Sequence, residues 1–305
     1  MRGHENRVEW RTISLIIVAH AMWLAAGLLW QTSFWVVSIV GLSVLATFHG
    51  SLQHETIHGH PTRFAWLNEL LGSLPLIGIF PYRRYRALHL KHHDDAQLTD
   101  PYEDPESYFW PLSHYQTMRP VMRRIFQINN TFLGRLAIGP ALSVWGFGRT
   151  EMARLIKNES GVRMAWLLHG VGLVAVGAII IAVFEMPLWF YAAFVTYPAL
   201  SLTSLRTYAE HQAAENIGAR SAVVETNPAL AMLYLNNNLH IVHHASPTTP
   251  WYSIPALYAE RKQYYLAANE NYLFRGYGQI ARLFAFTAKQ PVDHPLLHRE
   301  TQPAE

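Results

Sequence analysis

The sequence predicts an all-α integral membrane protein with four transmembrane helices in two hairpins and a helical cytoplasmic cap. Two long segments without charge predict the hairpins. No Asp, Glu, Lys or Arg occurs from Thr12 to His54, and only Glu185 occurs from Met164 to Leu205. Each segment is long enough for two crossings of about 20 apolar residues. The third observation is that all 24 Lys and Arg residues lie outside the two short turns, which predicts the side on which the cap lies.

The four transmembrane helices are predicted near residues 12–30, 34–50, 164–184 and 188–206. The first turn is expected between Trp30 and Trp35, because indole side chains favour the membrane interface. The second turn is expected at Glu185 and Pro187. A shorter apolar stretch, 66–80, is interrupted by glycine and proline, so we expect it to be interfacial or re-entrant.

The distribution of basic residues predicts the orientation. Lys and Arg are concentrated in residues 1–11, 63–163 and 206–299, so the positive-inside rule places both termini in the cytoplasm. The cap is expected to consist of residues 51–163 and 207–305. Neither piece of the cap has a convincing core of its own, so we interpret residues 1–305 as one integrated membrane domain.

Composition narrows the possible chemistry. The chain has 17 histidines and no cysteine, which excludes disulfides, zinc–thiolate sites, iron–sulfur clusters and thiol catalysis. A bound metal must therefore have nitrogen or oxygen ligands. The charged fraction of 15% is below the roughly 25% of soluble domains, which argues against a protein that binds nucleic acid.

Histidines occur in three clusters, each at or beyond the end of the membrane helices that faces the predicted cap. The sequences are HETIH, HLKHH and HIVHH, and a lone histidine follows the fourth helix. Helical residues spaced three or four apart share one face, so each cluster directs its imidazoles to one point. Neutral imidazole binds iron, zinc, copper and nickel, so the spacing predicts metal binding without identifying the metal. The candidate ligands are His54, His58, His89, His92, His93, His211, His240, His243 and His244.

The number of imidazoles predicts two ions. Structural zinc uses four ligands and catalytic zinc uses three with a water, so nine are too many for one ion. Two redox-active ions can share the electrons that cleavage of O2 requires, which zinc cannot. The residues alone therefore indicate an oxidase-type dimetal site.

From about residue 30 to residue 255, these clusters and hairpins resemble the membrane fatty acid desaturase superfamily. The resemblance implies two iron ions held by the nine histidines, with O2 as co-substrate and zinc as a replacement acquired during expression. Similarity to bacterial members implies the bacterial inner membrane. Some acyl-CoA desaturases have an asparagine where this chain has Thr207, so Asn237 or Asn238 is a candidate to replace it.

Two further sets of residues are expected around the metals. Carboxylates that accept the second N–H of a bound imidazole fix its orientation, and Asp94 and Glu210 are the first candidates among several acidic residues close in sequence. Candidates for contact with the substrate are Trp66, Tyr82, Trp110, Arg83 and Arg84, although aromatic anchoring and a basic topology signal explain the same residues.

The expected activity is O2-dependent introduction of a double bond into a fatty acyl chain or similar lipid carried on a lipid, CoA or carrier protein. The same chemistry also serves lipid hydroxylases, ketolases and acetylenases. A non-catalytic membrane protein that binds or transports metal is the alternative of another class. The chain has no recognisable haem or flavin signature, so a separate electron donor of the ferredoxin or cytochrome b5 type is expected.

Overall fold

The computed structural model describes residues 8–297. It is 66% helix and 3% strand, which confirms the predicted all-α class. Contacts divide the chain into two compact units. Unit 1 contains the chain up to Ala87, Pro140–Thr203 and Leu233–Leu235, and unit 2 contains Leu88–Gly139, Ser204–Met232 and the chain from Asn236 onward.

The helices, in chain order, are α1 (Trp10–Leu28), α2 (Trp35–Ile57), α3 (Ala65–Gly72), α4 (Tyr82–His92), α5 (Leu112–Thr117), α6 (Pro120–Asn129), α7 (Phe132–Ile156), α8 (Val162–Ala182), α9 (Leu188–Tyr191), α10 (Tyr197–Glu210), α11 (Pro228–Leu233), α12 (His240–Ala245), α13 (Ile254–Ala268) and α14 (Tyr277–Phe284). The shorter elements are 3-10 turns at Leu29–Gln31, Asp95–Gln97 and Ile217–Arg220, a π-helical turn at Ala192–Thr196, and strands β1 (Val223–Val224) and β2 (Leu273–Phe274).

Within residues 8–297, four helical segments are long and apolar enough to cross a membrane, which confirms the predicted number: Trp10–Gln31, Trp35–Ile57, Val162–Ala182 and Leu188–Glu210. Helix α2 extends well beyond its predicted end at residue 50. Gly50 lies within the helix, and the chain leaves the helical conformation only near Gly59, which has a φ of 96°, and Pro61. The histidine box HETIH therefore begins on the last turns of a continuous membrane helix.

The interrupted apolar stretch forms α3 and then the irregular segment 73–81. Side chains of the membrane helices donate to its backbone carbonyls. His49 Nε2 donates to the oxygen of Leu74 at 2.6 Å, and the Tyr191 hydroxyl donates to the oxygen of Leu76 at 3.0 Å. Non-helical backbone at membrane depth requires such partners because water is absent there. These contacts support a re-entrant position for this segment.

The core of unit 1 is formed by the faces that its membrane helices turn towards one another. Trp23 and Phe184 are fully buried and contact edge to face, with ring centroids 4.9 Å apart. Trp23 Nε1–H donates to the hydroxyl of Tyr191 at 3.0 Å. The ring of Phe184 also packs directly on the backbone of Gly27 in α1, where an added Cβ would overlap it.

Unit 2 holds its third histidine box through a small β-ladder. Strands β1 and β2 are parallel, with Val223 opposite Leu273. The N–H of Val224 donates to the oxygen of Asn238 at 2.8 Å, and the N–H of Ile241 donates to the oxygen of Ala222 at 3.2 Å. Helix α12 is therefore fixed by backbone hydrogen bonds on both sides of its first residue.

We predict that Gly27→Ala lowers the free energy of unfolding by about 1–3 kcal/mol, because the added methyl group overpacks the ring of Phe184. The measurement is the thermal unfolding midpoint of the purified protein in detergent.

Gly170→Ala is the matched control, since it lies in α8 and an added Cβ there meets no atom within 4 Å. This control is expected to leave the midpoint unchanged or to raise it slightly, because alanine favours helix. An unchanged midpoint for Gly27→Ala would contradict the close packing described for α1.

Candidate metal centre

The second and third histidine boxes adopt the helical spacing that their sequences predict. His89 and His92 occupy the last turn of α4, and His93 follows directly, its N–H donating to the oxygen of His89 at 3.2 Å. His240 begins α12, which carries the remaining histidines of the third box on the same face. Both boxes turn their imidazoles inward, and most of these side chains are buried.

Four imidazoles of unit 2 converge on one point and form what we call the His211 group: His92, His211, His240 and His244. His211 Nε2 lies 3.1 Å from His92 Nε2 and 2.9 Å from His240 Nε2. The four candidate ligand atoms all lie within 4.8 Å of one another. A single ion can therefore contact all four rings after small side-chain movements.

The other ring nitrogen of each imidazole in the His211 group faces an oxygen acceptor. His92 Nδ1 lies 2.8 Å from Asp104 Oδ1, and His244 Nδ1 lies 2.9 Å from Asp95 Oδ1. The remaining two pairs are His211 Nδ1 with the oxygen of Arg220 at 3.2 Å and His240 Nδ1 with Asn237 Oδ1 at 3.0 Å. Each Nδ1 therefore carries a proton, and a neutral ring directs the lone pair of Nε2 into the cluster.

The pKa values within the group show which rings are neutral. Burial, then the charges of neighbouring histidines, holds the pKa values of His211 and His240 well below their usual value. Burial alone would also lower the pKa of His92, but Glu106 and Asp104 outweigh it and raise that pKa to about 9. A protonated His92 Nε2 donates a hydrogen bond to His211 Nε2. The lone pairs of His211 Nε2 and His240 Nε2 still face each other. A cation between them removes that repulsion, so the donor set fits a metal ion.

A second group in unit 2, which we call the His93 group, contains His89, His93 and His243. His93 Nε2 lies 3.1 Å from His89 Nε2 and 3.0 Å from His243 Nε2. His89 Nδ1 donates to Glu106 Oε1 at 2.9 Å, which leaves the lone pair of His89 Nε2 directed at its neighbours. Three imidazoles therefore converge here through their Nε2 atoms.

His54 and His58 belong to unit 1. His54 lies on the last turn of α2, and His58 is the residue that caps the helix. Both side chains are buried, and their ring centroids are 4.8 Å apart. The four-residue spacing thus places this pair on one face, as the HETIH sequence predicts.

The carboxylates that hydrogen-bond to the imidazoles include residues other than the first candidates. Asp94 is exposed, and the following residue, Asp95, contacts His244 instead. The reason is that α4 ends at His92, and the 3-10 turn beginning at Asp95 redirects the chain. Glu106 is a contact that sequence reasoning missed, since it lies 17 residues after His89 in a loop and no local pattern relates them.

The other candidates around the histidines have different contacts. Glu210 pairs with Arg206 Nε at 2.7 Å, and its carboxylate lies 3.5 Å from His240 Nδ1. Asn237 contacts His240 directly, whereas Asn238 donates to the oxygen of Val224 at 2.8 Å and so holds β1. Thr207 is half-buried on α10, and no hydrogen bond joins it to an imidazole within residues 8–297.

The two arginines proposed to contact the substrate are already paired in unit 1. Arg84 is buried and makes a bidentate contact with Glu151, with distances of 2.8 Å and 2.9 Å. Arg83 contacts Glu69 at 2.5 Å on the surface. Arg84 therefore has a structural role, because releasing a buried guanidinium to a phosphate would leave the carboxylate buried without its partner.

The three aromatic candidates lie in different surroundings. Trp66 is exposed, whereas Tyr82 is buried and its hydroxyl donates to Thr56 Oγ1 at 3.0 Å. Trp110 is half-buried, with its ring centroid 4.9 Å from that of Phe126. None of these contacts by itself identifies a substrate site.

Comparison with known proteins identifies the family. A family model described as fatty acid desaturase matches residues 29–276, which is most of the chain. A search of curated proteins finds no match. The family match covers all three histidine boxes and His211, and it confirms the resemblance inferred from them. Four membrane-spanning helices and clustered imidazoles agree with it, and the chain therefore belongs to the fatty acid desaturase family of lipid-modifying membrane enzymes.

Proposed function

We propose that the protein is an O2-dependent di-iron oxidoreductase that introduces a double bond into a fatty acyl chain or a similar lipid. The observation that carries the proposal is the His211 group, in which Nδ1 of each ring faces an oxygen acceptor while Nε2 points inward. Rings arranged in this way are prepared to bind a cation. The family match supplies the class of reaction.

The proposed ligands are the nine histidines predicted from the sequence. The His211 group supplies four nitrogens to one ion, and the His93 group supplies three to the other. We propose that His54 and His58 complete the second set, which then has five. Their spacing in HETIH and the family match over residues 29–276 support this assignment.

The donor set selects the kind of metal. Imidazole nitrogen suits iron, zinc, copper and nickel, whereas magnesium and calcium prefer oxygen ligands. When bound here, a pair of iron ions supplies the reaction of O2 that removes hydrogen from a saturated hydrocarbon chain. Zinc binds imidazole more tightly than Fe(II), so protein from overexpression is expected to contain zinc in place of iron.

The residues of the chain itself hold the rings and exclude water. Asp104, Asp95 and Glu106 each accept a hydrogen bond from an imidazole, which fixes ring orientation before an ion binds. Burial of the inner ring faces keeps solvent from the reacting atoms. Charge repulsion among the rings does not oppose assembly, because His211 and His240 are held neutral.

We infer the substrate from the membrane setting, and the electron source from the lack of a recognisable haem or flavin signature in the sequence. A long apolar chain is the substrate, carried on a lipid, CoA or carrier protein, and we propose Trp66, Tyr82 and Trp110 as its contacts. Electrons come from a separate protein of the ferredoxin or cytochrome b5 type. The distribution of Lys and Arg supports a cytoplasmic position for the metal centre.

The test of this proposal is expression in a bacterial host, followed by mass spectrometry of its total fatty acids with and without O2. We expect a new unsaturated product that requires O2. A hydroxylated, oxo or acetylenic product would instead assign the corresponding member of the family. A protein that binds metal but forms no O2-dependent product would favour a binding or transport role.

We predict that His92→Ala abolishes product formation and reduces the bound metal from about two ions to about one per chain, because the His211 group loses one of its four nitrogens. Metal content of the purified protein is measured by elemental analysis, and product by mass spectrometry.

His114→Ala is the control, since His114 is exposed on α5 and outside both groups. It is expected to retain the wild-type metal content and activity. Full activity in His92→Ala would remove His92 from the ligand set.

We predict that Asp104→Asn weakens metal binding or activity by about 10- to 100-fold, the usual effect of losing a carboxylate behind a bound imidazole. Asp104 accepts hydrogen bonds from His92 Nδ1 and from the N–H groups of Thr99 and Glu106. Replacing one carboxylate oxygen by an amide nitrogen removes at least one of these bonds. The measurement is the dissociation constant for Co²⁺ or Zn²⁺.

Glu103→Gln is the matched control one residue away, because Glu103 makes an exposed pair with Lys91 at 3.4 Å. It is expected to leave the affinity unchanged. Equal affinities for Asp104→Asn and Glu103→Gln would show that Asp104 does not support His92.

A further inference from the structure

The segment of unit 2 from residue 289 to residue 297, which we call the C-terminal strap, lies beyond the residues that the family model matches. We propose that the strap positions the His211 group for metal binding, with Lys289 and His294 as positioning residues that act on His211 and on Asp104. This inference rests on the proposed function, because it concerns the residues that hold the metal. Neither residue belongs to a histidine box, and neither contacts the converging Nε2 atoms in the structure.

Lys289 completes the end of α10. Its Nζ donates to the backbone oxygen of His211 at 2.6 Å, to that of Tyr208 at 2.7 Å and to the hydroxyl of Tyr272 at 2.9 Å. Nζ thus has three protein partners in place of water. The last carbonyls of a helix have no partner within the helix, and Lys289 supplies donors to two carbonyls at this end.

The carbonyl of His211 is the point where these contacts meet. Besides Lys289, the hydroxyl of Tyr108 donates to this oxygen at 3.1 Å. The ring is fixed separately, since His211 Nδ1 faces the oxygen of Arg220. His211 follows the last residue of α10, so helical hydrogen bonds do not continue through it. An antiparallel bridge between His211 and Ser221 holds the backbone on one side, and Lys289 and Tyr108 hold the carbonyl of this ligand.

The other end of the strap reaches Asp104. His294 is buried, and its Nδ1 accepts from the N–H groups of Leu296 at 3.2 Å and Leu297 at 3.0 Å. Nδ1 therefore has no proton, and Nε2–H donates to Thr99 Oγ1 at 3.3 Å. Thr99 is buried with a φ of 70°, a conformation that costs energy for a β-branched residue unless its surroundings hold it.

Thr99 connects His294 to the metal ligands. Its N–H donates to Asp104 Oδ2 at 2.9 Å, and Asp104 Oδ1 accepts from His92 Nδ1 at 2.8 Å. The series His294, Thr99, Asp104 and His92 is thus continuous. Two of the four imidazoles in the His211 group, His92 and His211, depend on opposite ends of one strap.

Backbone hydrogen bonds hold the strap between its two ends. The N–H of Trp110 donates to the oxygen of Val292 at 2.8 Å, and the N–H of His294 donates to the oxygen of Trp110 at 3.1 Å. The side chain of Asn130 donates to the oxygens of Gln290 and Pro291 at 3.2 Å and 3.0 Å. A segment held in this way can fix other residues, because its own backbone has few remaining ways to move.

The test is metal retention by the full chain loaded with Co²⁺, measured as the number of ions removed by a chelator and the rate of their removal. Lys289→Met keeps the length of the side chain and removes its donors. We expect one of the two ions to be lost about 10- to 100-fold faster, as for other residues that support a ligand. We also expect the Co²⁺ absorption bands of that ion to shift, while the second ion is unaffected.

A double variant separates positioning from general stabilisation. His211→Ala should lose the same ion, and adding Lys289→Met to His211→Ala should then cause no further loss, because no imidazole remains at 211 to position. Lys262→Met is the control, since Lys262 lies outside the strap and makes a partly exposed pair with Glu225 at 2.6 Å. It should retain both ions at the wild-type rate.

His294→Gln provides a second variant if Lys289→Met does not fold. It should release the same ion faster, and it should have no additional effect in the Asp104→Asn background. Two results would overturn the role of the strap while leaving the proposed function intact. One is equal loss of both ions. The other is the same fold-increase in the rate of metal loss whether the strap residue is changed in the wild-type chain or in the His211→Ala or Asp104→Asn background. A wild-type chain that binds no Co²⁺ would overturn both.

Discussion

The inward-facing lone pairs of neutral imidazoles are the constraint on which the rest of unit 2 depends. The Nε2 atoms of the neutral rings His211 and His240 lie 2.9 Å apart and do not remain there through mutual attraction. Acceptors on the outer nitrogens hold the rings, and burial keeps both neutral. A site of this kind is prepared for a cation before it binds, so the ion does not have to reorganise its ligands.

This preparation explains why so many residues other than histidine contact the imidazoles. One backbone oxygen, an asparagine and three carboxylates each accept one N–H from a ring. Each of these hydrogen bonds contributes little free energy in contact with water, but it is stronger where water is excluded. They also fix which nitrogen of each ring carries the proton, which a histidine-rich sequence leaves open.

The membrane helices impose a second requirement, which is visible in unit 1. Backbone that leaves the helical conformation at membrane depth has to find donors among side chains, and His49 and Tyr191 supply them to the segment after α3. The ion pair of Arg84 with Glu151 satisfies the same rule for charge, since neither group is left buried alone. His49, Tyr191 and Arg84 thus have structural partners, although the sequence alone leaves a functional role open for each.

Sequence patterns by themselves determined the number and approximate position of the membrane helices, the three histidine boxes and the family. These properties depend on local spacing and on runs of apolar residues, which are read directly along the chain. Tertiary structure alone decided that Asp95 and not Asp94 contacts His244, that Glu106 contacts His89, and that Lys289 holds the carbonyl of His211. The physical reason is that these contacts join residues across loops and turns, where direction is set by hydrogen bonds between distant segments and no periodicity extends from one to the other.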